Sequence, residues 1–172
     1  CFPKDTIAFV KTGQEAKAPQ TIVETVIKAN KKIKNRMVKK IVEACAGSVK
    51  GKIICVLGVT FKPNTDDMRD SPSLTIIPRL IKLKSRIRVF DPKGEKEGKE
   101  LLSGVEWKED PYSAAEGSDL IILLTEWNEF RALDLKKLAS VMRDPRMVDL
   151  RNIYSKNELI DAGFKKYVGL GR

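Results

Sequence analysis

Residues 58–72 read GVTFKPNTDDMRDSP, a polar loop that follows the apolar run Ile53–Leu57 and precedes an apolar-periodic segment at 74–83. A strand, a long polar loop and a helix in this order are typical of the first βα unit of an open α/β sheet. Ligands of such sheets bind beyond the carboxyl ends of the strands. The loop carries the cations Lys62 and Arg69, so it predicts an anion site. The alternative is a solvated loop whose charges only cap the following helix.

Apolar runs alternate with helical segments from residue 52 onward. Strands are predicted at 52–58, 86–90, 119–125 and 146–150, with weaker ones at 105–107 and 166–169. The run at 119–125 is almost entirely apolar, which predicts a central parallel strand. The alternation predicts an α/β fold with a doubly wound parallel sheet.

Helix boundaries are marked by capping residues and breakers. In the helix after the loop, Ser71 is the expected N-cap and Pro72 the expected first residue. Pro78 lies inside this segment and should kink the helix or shift its start. Further helices are predicted at 110–117, 133–142 and 155–162.

Two helical patterns precede the sheet, a short one within 1–17 and a long one at 20–46. Apolar residues recur along the long pattern at three-, four- and seven-residue intervals. A helix of about 27 residues is about 40 Å long. This is more than a small domain needs, so we expect a connector or a dimer helix. We therefore divide the chain into 1–48, with the long dimerisation helix, and a Rossmann-like domain at 49–172.

The composition excludes some classes of function. The net charge of +10 indicates an anionic partner, but the basic residues are scattered and few aromatics accompany them, which favours phosphorylated small molecules over nucleic acid. The chain has no histidine, so we expect no metal site. No apolar run is long enough for a bilayer. Cys45 and Cys55 lie in apolar patterns and are expected in the core, and unpaired cysteine spacing suits the cytoplasm.

Three polar clusters follow predicted strands: Phe61-Lys62, Thr125–Trp127 and Asp149–Asn152. The carboxyl ends of parallel strands meet at one edge of a sheet, so these clusters predict a ligand site at that edge.

Three carboxylates have structural interpretations. Asp66 and Asp67 could form an acid–base pair, but adjacent side chains point apart, so ion pairing or loop capping is favoured. Asp91 follows a strand and could meet a ribose hydroxyl. Because Pro92 comes next, a turn or a cap is favoured there.

Four motifs in order are similar to those of one known family. They are CFPKD at 1–5, FKPNTDDMR at 61–69, TEW at 125–127 and RNIY at 151–154. They resemble the UDP-glucose/GDP-mannose dehydrogenases over essentially the whole chain. The resemblance implies an enzyme of three parts: an amino-terminal NAD-binding Rossmann domain absent from this chain, a central helix that makes a homodimer, and a carboxyl-terminal domain that binds a UDP-sugar.

The implied reaction is the oxidation of UDP-glucose at C-6 to UDP-glucuronate with two NAD per turnover. An aldehyde must become a tetrahedral adduct before it can lose a second hydride. A thiolate provides that adduct as a thiohemiacetal, and oxidation then gives a thioester that water hydrolyses. The resemblance implies that Cys1 is the nucleophile and that Asp5 organises water or a catalytic lysine.

Five further residues are implied to bind ligands. Lys4 and Arg69 resemble residues that contact NAD. Lys62 resembles a substrate-binding lysine, Phe61 its neighbour against the nucleotide, and Arg151 a further substrate contact. The residues alone support Lys62, Arg69 and Arg151 as anion-facing positions and do not say which anion.

Three alternatives stay open. The same chemistry could act on GDP-mannose or a UDP-N-acetylhexosamine. The chain could instead be a non-catalytic nucleotide-binding or dimerisation module, or a basic nucleic-acid binder. As a fragment without the NAD-binding domain, it is expected to bind a UDP-sugar weakly and to turn over nothing.

Overall fold

Six parallel strands form one sheet in the order β3-β2-β1-β4-β5-β6. The computed structural model describes residues 2–171, except for the side chain of Phe2. The strands are β1 (Ile53–Leu57), β2 (Arg86–Phe90), β3 (Val105–Trp107), β4 (Leu120–Leu123), β5 (Arg146–Asp149) and β6 (Lys166–Gly169). All six predicted strands are confirmed, with β4 and β1 at the centre.

Helices cover both faces of this sheet, as expected for a doubly wound fold. They are α1 (Phe2–Glu15), α2 (Thr21–Ala44), α3 (Ser73–Lys82), α4 (Glu95–Leu101), α5 (Pro111–Ala115), α6 (Asn128–Arg131), α7 (Leu135–Val141) and α8 (Lys156–Asp161). The predicted α/β class is therefore confirmed.

The core lies on both sides of the sheet, because successive strand side chains point to opposite faces. Ile54 and Val56 of β1 join the cluster beneath α2 and α3. Cys55 and Leu57 join the second cluster, which includes Phe130. Cys45 is also buried, so the core positions predicted for both cysteines are confirmed.

The two halves of the long helix α2 differ in burial. Its carboxyl-terminal half buries Met37, Ile41 and neighbours against the sheet, whereas Ile22 near its start is 81% exposed. At 1.5 Å per residue the helix is about 36 Å long. Within residues 2–171, no helix combines the length and apolar character that crossing a membrane requires.

The start of α3 and the presence of α4 and the short α6 differ from the sequence prediction. The helix α3 begins at Ser73 with Pro72 as its N-cap, so the expected N-cap Ser71 and first residue Pro72 are each wrong by one position, whereas Pro78 lies inside the helix as predicted. The helix α4 was not predicted, because its sequence is charged and has Gly98 at its centre. This glycine is required there: a Cβ would lie 2.4 Å from the ring of Trp107. Gly98 looks like a helix breaker in the sequence, but it is needed inside α4 because the ring of Trp107 packs against it.

Candidate functional site

The loops after β1 and β4 meet at the carboxyl edge of the sheet. Gly58 has φ +82°, and a Cβ at this position would lie 2.6 Å from the Cβ of Thr125. Only glycine permits both this backbone conformation and this close approach. The hydroxyl of Thr125 donates to the carbonyl oxygen of Thr60 at 2.7 Å. The polar loop predicted to bind an anion is thus joined directly to the Thr125–Trp127 cluster.

Asp91 at the end of β2 holds three loops together. Its Oδ2 accepts hydrogen bonds from the backbone N–H groups of Val59 at 2.6 Å and Thr60 at 3.1 Å. The same oxygen accepts from the indole N–H of Trp127 at 3.3 Å. Its Oδ1 accepts from the N–H of Gly94 at 2.7 Å in the following turn. The predicted turn cap is confirmed, and the longer-range bonds to Val59, Thr60 and Trp127 are additional.

Hydroxyl groups secure the other end of the loop. Ser71 Oγ and Ser73 Oγ both donate to the carbonyl oxygen of Val59, at 2.6 and 2.7 Å. The N–H of Phe61 donates to the carbonyl oxygen of Asp67 at 2.9 Å. Residues 59–73 therefore form a closed loop that presents Phe61, which is 39% exposed.

An ion pair lies within the loop. Arg69 Nε and Nη2 donate to the two carboxylate oxygens of Asp67 at 2.9 and 2.7 Å. These bonds lower the pKa of Asp67 to about 2. The favoured interpretation of Asp67 as an ion-pairing residue is confirmed. The side chain of Arg69 is 83% exposed, so its remaining N–H groups face outward.

Helix α1 brings a further cation to this loop. Lys4 and Pro3 line a cavity of about 190 Å³ together with loop residues Phe61, Asp67, Arg69 and Asp70. Three of the predicted site residues, Lys4, Phe61 and Arg69, are thus adjacent although they are far apart in sequence. Lys62 is exposed beside Phe61 on the same loop, and Asp5 is exposed next to Lys4 on α1. Cys1 lies outside the described residues.

Arg151 is placed in a different cavity. Its guanidinium pairs with Glu126 after β4, and its backbone N–H donates to Asp149 Oδ1 at 3.0 Å. Arg151 lines a cavity of about 170 Å³ between α2, α3 and the sheet edge, with Lys34 and apolar side chains that include Met37 and Leu150. The sequence grouped Arg151 with Lys62 at one edge; the structure shows two separate cavities along that edge.

Glu126 is an ionised partner in this pair. Partial burial raises the pKa of Glu126, but the hydrogen bonds and charge of Arg151 outweigh it, so the pKa lies below its usual value. Sequence reasoning did not single out this pairing. The pair could have been predicted, because Glu126 and Arg151 have opposite charges and follow the strands β4 and β5, which are neighbours in the sheet.

A larger groove adjoins the first cavity. Asp70 and Pro3 line both, and the groove of about 430 Å³ continues between α1, α2 and α3 past Lys31, Lys34 and Arg79. Among the described residues, the first cavity has two cations and two carboxylates, whereas the groove has three cations and one carboxylate. The excess of positive charge in the groove suits an anionic ligand.

The described residues provide binding groups more clearly than acid–base groups. Burial raises the pKa of the Cys45 and Cys55 thiols, which keeps them protonated and unreactive. Within residues 2–171, no three Cys, Asp or Glu side chains are grouped as a metal ion would require. The arrangement can hold an anionic, partly aromatic ligand between cationic side chains and the Phe61 ring.

Comparison with known proteins matches residues 55–156 to the UDP binding domain of the UDP-glucose/GDP-mannose dehydrogenase family. A UDP-glucose 6-dehydrogenase from Rhizobium meliloti is 46% identical over the whole chain, and one from Bacillus subtilis is 39% identical. The chain spans 39% and 37% of these two proteins. A UDP-glucose dehydrogenase structure from Pyrobaculum islandicum superposes with a TM-score of 0.84 at 30% identity, over 98% of this chain and 36% of that one.

Proposed function

The chain belongs to the UDP-glucose/GDP-mannose dehydrogenase family, and we propose that it is the carboxyl-terminal, UDP-sugar-binding part of a UDP-glucose 6-dehydrogenase. One observation carries this proposal. Lys4, which closely follows Cys1, lies in one cavity with Phe61 and Arg69 of the loop after β1. Helix α1, which begins directly after Cys1 in the sequence, therefore lies against the loop after β1.

The proposed substrate is a UDP-sugar at the carboxyl edge of the sheet. Phe61 offers an exposed ring for the nucleotide, and Lys62 beside it offers charge for the diphosphate. Arg151 lines the second cavity along the same edge, so its guanidinium would add charge for a ligand that spans both cavities, through the N–H groups that Glu126 does not occupy. Charge-assisted hydrogen bonds to phosphate are stronger than neutral ones, so each of these cations would contribute to the binding of a diphosphate. Relatives that are named as UDP-glucose 6-dehydrogenases favour glucose as the sugar.

The cofactor of the proposed enzyme is NAD, and the described residues fit one part of it. Lys4 and Arg69 place two cations beside the cavity of Phe61, and the pairing of Arg69 with Asp67 still leaves guanidinium N–H groups outward. These groups suit a diphosphate. NAD, when bound, takes up the hydride in each oxidation. We assign the rest of the NAD site to an amino-terminal domain outside this chain.

The proposed chemistry depends on Cys1. Its thiolate would add to the C-6 aldehyde as the C–S bond forms and the carbonyl oxygen becomes an alkoxide that takes a proton. Hydride loss from this adduct would give a thioester, and water would release the carboxylate and the thiol. Asp5, exposed one residue beyond Lys4, would orient that water or a catalytic lysine.

The proposed assembly is a homodimer through α2, within a division of the chain into 1–48 and 49–172. Ile22, Val26 and Ile33 are all exposed, at 81%, 45% and 42%. At 100° per residue they lie within about 40° of one another around the helix. An apolar stripe of this kind is stabilised by a second copy. A cytoplasmic location fits the free thiols of Cys45 and Cys55.

Titration calorimetry with the 172-residue chain tests the binding part of the proposal. UDP and UDP-glucose should bind, and GDP-mannose should bind more weakly. Lys62→Ala and Arg151→Ala should each weaken UDP binding about tenfold or more, because each removes a charge-assisted contact. Lys96→Ala in α4 is the matched surface control. Tighter binding of GDP-mannose than of UDP-glucose would favour the alternative sugar nucleotide.

The catalytic part needs the chain joined to the amino-terminal part of the Rhizobium meliloti relative. This chimera should form NADH from UDP-glucose, and Cys1→Ser should abolish the second oxidation. The chain alone should form none. A chimera that binds UDP-glucose without forming NADH would support a non-catalytic nucleotide-binding module instead.

A further inference from the structure

We infer that Asp91 is a positioning residue for the loop that presents Phe61 and Lys62, an inference that rests on the proposed function. Asp91 is 5% exposed and lies at the carboxyl end of β2, behind this loop. It does not line the cavity of Lys4, Phe61 and Arg69. Its effect on a ligand must therefore pass through the groups that its carboxylate holds.

The carboxylate of Asp91 is fully occupied by the protein. Its Oδ2 accepts from the N–H of Val59, the N–H and hydroxyl of Thr60, and the indole N–H of Trp127. Its Oδ1 accepts from the N–H groups of Lys93 and Gly94. Two carboxylate oxygens offer about four lone-pair directions, so six donors leave none for a ligand.

This occupation gives Asp91 a different role from its counterpart in dinucleotide-binding sheets. In those sheets an acidic residue downstream of the first loop binds the ribose hydroxyls. Here the corresponding strand end is closed by the chain's own N–H groups. A nucleotide must therefore bind in front of the loop rather than at Asp91, on the side where Phe61 is exposed.

Hydrogen bonds hold both the N–H groups and the carbonyl groups at the start of the loop. The N–H groups of Val59 and Thr60 are held by Asp91, and their carbonyl oxygens are held by Ser71, Ser73 and Thr125. Phe61 follows directly, so its position relative to β2 and β4 is determined by these bonds. Removal of the Asp91 charge would leave buried N–H groups unpaired, which a loop relieves by moving toward water.

Asp91→Asn provides the test because it preserves shape. Its NH₂ group must face either the N–H groups of Val59 and Thr60 or that of Gly94, so one set of bonds is lost in each orientation. The amides of residues 59–62 should exchange with solvent about tenfold faster or more. The indole N–H signal of Trp127 should shift, and UDP should bind about tenfold more weakly.

Asp119→Asn is the matched control. Asp119 is also 5% exposed and also accepts a backbone N–H, that of Ile53 at 2.8 Å, but it lies at the opposite end of the sheet. It pairs with Arg143 rather than with the loop. This variant should lose stability without changing the exchange at residues 59–62, the Trp127 signal or UDP affinity. A loss of UDP affinity equal to that of Asp91→Asn would overturn the positioning role.

A second variant covers the case in which Asp91→Asn does not fold. Gly94→Ala keeps the charge, and its Cβ would lie 3.0 Å from Asp91 Oδ1 and 2.8 Å from the Thr60 methyl group. It should shift the amide signals of Val59 and Thr60 and weaken UDP binding. Unchanged loop exchange in both variants, or faster exchange with unchanged UDP affinity, would refute the inference.

The two proposals fail in different ways. If the unmodified chain binds no UDP or UDP-glucose, the proposed binding function is wrong. The exchange rates at 59–62 and the Trp127 signal would then still decide whether Asp91 positions the loop. If the unmodified chain binds UDP and Asp91→Asn binds it equally well, only the positioning role is wrong.

Discussion

Lys34 of α2 donates a hydrogen bond from its Nζ to the backbone carbonyl oxygen of Asp70 at 3.1 Å. Asp70 has φ +60°, a conformation that non-glycine residues rarely adopt, and it lines the cavity of Lys4, Phe61 and Arg69. This contact joins the long helix proposed to form the dimer to the loop proposed to bind the ligands. It gives the helix a direct influence on the geometry of the loop.

Lys34→Ala should therefore weaken UDP binding about two- to tenfold, the effect of one hydrogen bond. The reason is that the strained backbone at Asp70 loses the donor that holds it. Calorimetry measures the change. Lys39→Ala is the control, since Lys39 is exposed on the same helix and faces about 140° away. Equal losses in both variants would indicate a general charge effect rather than the Asp70 contact.

Arg69→Ala should raise the pKa of Asp67 from about 2 toward its ordinary value of 3.8, because the hydrogen bonds and charge of Arg69 are removed. The pH titration of the Asp67 carboxyl signal by NMR measures this shift. Stability should barely change, since the pair is exposed and an exposed ion pair contributes little. A carboxyl that still titrates near 2 would show that another group stabilises the Asp67 charge.

Acid should destabilise the protein through Asp119. Burial raises the pKa of Asp119, but the hydrogen bonds of Arg143 and Ile53 outweigh it, so the pKa lies below 3.8. A carboxylate with a depressed folded pKa stabilises the protein above its unfolded pKa, and that stability is lost as the pH falls through the folded pKa. The free energy of unfolding should therefore decrease as the pH drops below about 4.

Urea unfolding between pH 7 and pH 3 measures this dependence. Asp119→Asn should be less stable at pH 7 and should show a shallower decline, because one of the titrating groups is gone. Asp66→Asn, at an exposed loop position, is the control and should keep the slope of the unmodified chain. Parallel curves for Asp119→Asn and the unmodified chain would contradict the assignment.

Ile22→Lys should weaken self-association, because it places a charge in the exposed apolar stripe of Ile22, Val26 and Ile33. Sedimentation velocity should show a dimer for the unmodified chain and a shift toward monomer for the variant. Lys28→Ala is the control, about 120° around the helix from Ile22. A dimer of undiminished stability in Ile22→Lys would place the interface elsewhere.

The order of the strands along the chain and their residue ranges could be predicted from the sequence. Apolar runs and breakers are local signals. Each of the strands β1, β2, β4 and β5 has such an apolar run with breaking residues at its ends. The expectation that parallel strands end at one edge then grouped Phe61, Thr125 and Arg151. The helix α4 escaped prediction, because its central Gly98 is explained only by the ring of Trp107 that packs against it.

The amino-acid sequence by itself thus determined the α/β sheet and the cationic character of its carboxyl edge, since both follow from short-range patterns of residue type. Only the tertiary structure decided that Arg151 faces a different cavity from Arg69, and that Asp91 serves the loop rather than a ligand. The physical reason is that the role of a side chain depends on which groups the fold places within bonding distance of it. The bonds of Asp91 to Val59 and Trp127 span more than 30 residues in each direction, and no local pattern encodes them.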